Sequence, residues 1–107
     1  MTVGLILLVV VTMPLLVTGK GDAVAGKAVY TKRCATCHAL GGEPKDAIAR
    51  MLKVEMRHLG SKEVQAKSDA ELRKDIVAGI GKMKPVKGMS DQEVADVIAY
   101  MRSLAKK

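Results

Sequence analysis

Cys34-Ala35-Thr36-Cys37-His38 constrains this chain more than any other stretch, because it holds both cysteines and one of the two histidines. Cys-x-x-Cys-His is the attachment signature of a c-type haem. Two thiols three residues apart on a helical turn can each form a thioether with one haem vinyl group, and the next residue, His38, is then held against the iron as the proximal imidazole. A redox dithiol, a disulfide staple and half of a zinc site compete for the bare Cys-x-x-Cys. The dithiol normally accompanies a βαβ pattern, which is missing here, and zinc needs four ligands where the chain has no second cysteine pair.

Composition agrees with a cofactor at the core. The 107 residues suffice for one domain, yet contain no Trp, no Phe and two Tyr. A domain of this size buries a modest fraction of its surface and needs added bulk or a staple. A flat apolar cofactor supplies it. Net charge is +7, and +6 for residues 22–107, which hold all eleven acidic residues and seventeen of the eighteen basic ones. Such a balance favours an acidic protein or an anionic surface as partner. Nucleic acid fits poorly, since the basic residues are scattered without interleaved aromatics for stacking.

Residues 3–17 are apolar except for Gly4, Thr12 and Pro14. Fifteen residues fall short of the ~20 that span a bilayer but match the apolar region of a secretory signal. Small residues follow, so residues 1–21 read as a signal peptide cut near Gly21–Asp22, with Ala23-Val24-Ala25 as the second choice. The lack of any Lys or Arg before Lys20 leaves an N-terminal membrane anchor as the alternative.

Downstream, periodicity predicts only helices. Asp22 can cap a helix over Ala23–Arg33. Ala39–Pro44 reads as a loop. Ile48, Met51, Leu52, Met56 and Leu59 form a helical stripe over Asp46–Leu59, which Gly60 can end. Ser68-Asp69-Ala70-Glu71 and Ser90-Asp91-Gln92-Glu93 are capping boxes opening the last two helices. His58, on a basic stretch near a helix end, reads as a solvated residue.

With these residues in hand, residues 22–107 resemble a small monohaem class I c-type cytochrome. Gly26 and Tyr30 stand where that family's first helix crosses its last, and Val97 and Tyr100 match the partner positions. The resemblance implies an all-α fold of about four helices around one haem c, bound through Cys34 and Cys37. It also places Met83 as the sixth ligand opposite His38. Met83 lies in Gly79-Ile80-Gly81-Lys82-Met83-Lys84-Pro85, similar to the family's Gly-x-Gly-x-Met-Pro loop but with Lys84 inserted before the proline. Met89 is the runner-up, although its place before Ser90 suits a hydrophobic staple to Val94. Pro44 is the nearby proline whose carbonyl could accept from the His38 ring.

The function implied is that of a one-electron carrier, not an enzyme. It would be a monomer, exported to the periplasm, exchanging electrons with larger redox proteins of a respiratory or photosynthetic chain through an acidic docking patch. Lys82, Lys84 and Lys87, with Lys32 and Arg33, would steer that patch. Membrane contact is expected only if the N-terminal segment is retained. A haem enzyme or a gas or peroxide sensor with a labile sixth ligand is the alternative.

Overall fold

A computed structural model describes residue 4, residues 6–10 and residues 20–106. Most of the leader reading over residues 1–21 therefore falls outside the described residues. Ile6–Val10 are described, exposed, and in no helix. No helix among the described residues is long and apolar enough to cross a membrane.

Among the described residues five helices follow in order: α1 (Ala23–Arg33), α2 (Asp46–Leu52), α3 (Lys62–Gln65), α4 (Asp69–Ala78) and α5 (Asp91–Ser103). The described residues contain no strand, only isolated bridges between His38 and Pro44 and between Ile80 and Met83. The Asp22 carboxylate accepts from the Val24 and Ala25 amides and starts α1. Ser90 and Glu93 close a reciprocal capping box at α5. At α4 the box is half made. The Ser68 hydroxyl accepts from the Glu71 amide, but the Glu71 carboxylate accepts from that hydroxyl rather than from the Ser68 amide.

The crossing of α1 on α5 organises the fold. A Cβ at Gly26 would lie 1.8 Å from the Asp96 carbonyl oxygen, so only glycine permits this backbone approach. Beside it the Tyr30 and Tyr100 rings meet at 5.0 Å, tilted by 59°, an arrangement that aromatic quadrupoles favour. Asp96, buried at the crossing, accepts from the Asp22 amide at 2.8 Å and from the Gln92 side chain at 2.9 Å. The other face of α5 (Val94, Val97, Ile98, Met101) packs with Val64, Leu72 and Ile76 into the apolar core.

One predicted element is corrected. The helix expected over Asp46–Leu59 stops at Leu52, where Lys53 turns left-handed at φ 54°. Residues 54–58 belong to no helix, with Val54, Met56 and His58 half-buried and Glu55 and Arg57 exposed. Gly60 ends no helix. It is buried where a Cβ would meet the Leu104 carbonyl oxygen at 2.0 Å, and its own carbonyl accepts from the Lys106 amide.

Candidate functional site: a cavity between His38 and Met83

An apolar cavity of about 960 Å³ opens between these elements, at the upper end of the ~300–1,000 Å³ usual for cofactor and ligand sites. Cys34, Cys37 and His38 form one wall and the 80–87 loop another. Leu72, Ile76, Val97 and Met101 close it on the core side. The remaining wall is α2 with the non-helical segment after it.

The attachment motif continues α1 as a turn. The Cys34 and Ala35 amides both donate to the Tyr30 carbonyl, and the Cys37 and His38 amides both donate to the Cys34 carbonyl. Both thiols are free and half-buried. Burial pushes the Cys34 thiol up to about 11, against the lowering effect of Arg33. Burial also holds the His38 imidazole below its ordinary value, favouring the neutral ring that ligates metals.

The loop after His38 is pinned from the helix crossing. Tyr30 donates its hydroxyl to the Ala39 carbonyl at 2.6 Å, and Tyr100 donates to the next carbonyl, Leu40. The sequence reading gave these tyrosines a packing role only. Backbone acceptors leave no residue signature, so their hydrogen bonds were not legible there. Pro44 lies beside His38 through their bridge, yet His38 Nδ1 is buried without any hydrogen-bond partner. A metal-bound imidazole normally donates its other ring N–H to a carbonyl or carboxylate, and the bond expected from His38 to the Pro44 carbonyl is not made.

In the 80–87 loop, Met83 is half-buried in a tight reversal. The Ile80 and Met83 amides each donate to the other residue's carbonyl, at 3.1 and 2.9 Å. Gly81 takes the first central position at φ 55°, as a type II′ turn requires. Met83 lines the cavity; Met89 does not, and packs against the core. Met51, Met56 and Met101 also reach the cavity walls. His58 does not. Its Nδ1 accepts from the Gly60 amide at 2.9 Å and its Nε2 lies 3.9 Å from Glu43. The side chain is 17% exposed, so it is tied in place rather than solvated. Among the described residues no cluster of three or more His, Cys, Asp or Glu could hold a metal, which leaves the zinc reading without support.

The family model for cytochrome c matches residues 23–105. With the attachment motif lining an apolar cavity inside an all-helical class I fold, the chain belongs to the cytochrome c family: it is an electron-transfer protein and not an enzyme. It is 35% identical to cytochrome c-555 of Chlorobaculum tepidum over 105 residues, covering 86% of this chain and 88% of that one. It is 31% identical to cytochrome c6 of Leptolyngbya boryana, covering 80% and 96%. Among solved structures it resembles the KustC0563 c-type cytochrome, with a TM-score of 0.65 at 30% identity over 76% of this chain and 98% of the other. The family carries covalently bound haem c, and the Cys34–His38 motif is consistent with it.

Proposed function

We propose that this chain carries one haem c, joined through thioethers to Cys34 and Cys37 and ligated by His38 and Met83, and that it shuttles single electrons between larger redox proteins. The observation that carries the reading is the placement of Met83 in the same cavity as Cys34, Cys37 and His38, while Met89 packs elsewhere. The haem supplies an iron that changes by one electron. The protein's part is to hold its ligands still and exclude water. A thioether ligand favours the ferrous state and raises the potential relative to a second imidazole. With His38 and Met83 both holding the iron, no position on it would be open to a substrate.

The pyridine haemochrome of the purified protein tests the attachment, with the spectrum of two thioethers expected. Met83→Ala should keep the haem, lose the ferric methionine-to-iron charge-transfer band and lower the potential, while Met89→Ala keeps the band. The reverse pattern would transfer the ligand role to Met89.

Export to the periplasm follows from the apolar stretch at residues 3–17, and haem attachment in this family takes place there. A cut near Gly21–Asp22 leaves the Asp22 cap of α1 in place, whereas a cut after Ala25 deletes it. The docking surface is basic and its partner acidic. Lys84 and Lys87 present exposed side chains at the cavity, while Lys32 is exposed on α1 without lining it. Arg33 donates to the Lys87 carbonyl and Lys82 to the Leu52 carbonyl, so these two are braces before they are docking charges. The domain acts as a monomer in a respiratory or photosynthetic chain.

A further inference from the structure

We propose that Lys82 is a positioning residue for Met83, strapping the methionine loop to the far wall of the cavity. The inference rests on the reading of Met83 as the sixth ligand. Lys82 Nζ donates to the Leu52 carbonyl at 2.9 Å, across thirty residues of sequence. Both residues line the cavity, so the bond runs from one wall to another.

The acceptor suits a cation. Leu52 is the last residue of α2, and the cap amides of Lys53 and Val54 go to the Ala49 and Arg50 carbonyls instead. The Leu52 carbonyl is thus one of the helix-end acceptors without an intrahelical partner, at the negative end of the peptide dipoles. The donor is equally constrained. Lys82 occupies the second central position of the Ile80–Met83 turn, next to Met83 itself. Holding Lys82 therefore fixes the turn that presents the thioether.

The loop's other attachments lie further along the chain. The Val86 amide donates to the Ile76 carbonyl at 2.9 Å, and Arg33 holds the Lys87 carbonyl. Neither restrains the tip at Gly81–Lys82. Without the Lys82 bond the tip hangs on the bridge within the turn alone. The loop then swings away from the iron more often, while the turn itself and the helices persist.

The test is the rate at which added imidazole binds the ferric holoprotein, because the methionine must leave before imidazole can enter. Lys82→Met should raise this rate about three- to tenfold, the span expected for losing one hydrogen bond of ordinary net strength. Lys82→Arg, which restores a donor, should return it most of the way. Lys74→Met, at an exposed position on α4, controls for the lost charge and should match wild type. Met83→Ala should bind imidazole far faster than any of these. A Lys82→Met rate equal to wild type, or matched by Lys74→Met or by Lys82→Arg, overturns the strap while leaving the ligand assignment intact. A Met83→Ala rate equal to wild type instead sinks the ligand assignment, and the strap with it.

Discussion

The two sides of the cavity are held by different means. On the His38 side the motif runs straight off α1, and the loop after it hangs from two tyrosine hydroxyls rooted in the α1–α5 crossing. Tyr30 is 0% exposed and Tyr100 8%. The wall to which Lys82 ties the Met83 loop is α2, which is seven residues long, has no side-chain N-cap bond and buries no residue. Its apolar residues Ile48, Met51 and Leu52 face the cavity, with Met51 69% exposed when the protein surface is taken alone. Isolated helices shorter than ~12–15 residues are marginal in water. One wall therefore brings its own core, and the other takes its core from whatever fills the cavity. On the proposed ligation, His38 is the fixed ligand and Met83 the one whose loop is tied to the less stable wall.

Removing the cofactor attacks that difference hardest. In Cys34→Ala/Cys37→Ala, covalent haem should be lost and with it cooperative unfolding of the domain. Residues 46–58 should lose all amide protection, and any protection that survives should be confined to α1 and α5. Cooperative thermal unfolding of the haem-free double variant would show that the protein core suffices without the cofactor.

Breaking the crossing comes next. Gly26→Ala places a methyl against the Asp96 carbonyl and should cost about 3 kcal/mol or more in a denaturant titration, because two backbones must separate. A loss below ~1 kcal/mol would mean that the helices part easily.

Tyr30→Phe sharpens the comparison with a smaller change. It deletes one hydroxyl and leaves the Ala39 carbonyl unpaired, at an expected cost of about 1 kcal/mol. It should also alter the response to alkali. Burial, with smaller contributions from Cys34, Tyr100 and Glu43, raises the Tyr30 phenol above its ordinary 10.0. The unfolded chain therefore releases this proton first. The stability is present below pH ~10 and declines as pH rises beyond it. Tyr30→Phe should show a shallower decline, and identical slopes would argue against a buried, proton-retaining phenol.

The smallest effect is on the surface of the Met83 side. Lys84→Glu with Lys87→Glu should slow electron transfer to an acidic partner without moving the potential. The wild-type rate should fall as salt rises, since exposed charges are screened within ~10 Å at 0.1 M. A rate indifferent to salt and to both reversals would remove the steering.

The same division governs what the residues alone disclosed. α1 was legible to its bounds, because Asp22 caps it and the Gly26–Tyr30 pair marks the crossing with Val97 and Tyr100. The motif residues and Met83 stood out in the sequence, and the structure lines one cavity with all four. The run from Lys53 to His58 was misread. Its apolar residues fit a helical stripe, yet Val54, Met56 and His58 also alternate in burial with Glu55 and Arg57, and the non-helical chain is what walls the cavity. Two periods fitted one segment, and a cavity that the sequence does not display decided between them. The braces from Tyr30, Tyr100 and Lys82 were out of reach for a further reason: each ends on a backbone carbonyl, which every residue possesses.

One titration addresses the central asymmetry. The ferric methionine-to-iron charge-transfer band and the far-ultraviolet helical signal are followed together as denaturant is added to the holoprotein. The band should be present at the outset and vanish at clearly lower denaturant than the helical signal, because the Met83 loop is tied through Lys82 to the less stable wall. A native protein without the band, or a band that disappears together with the helices, would contradict a cavity with one fixed ligand and one releasable one.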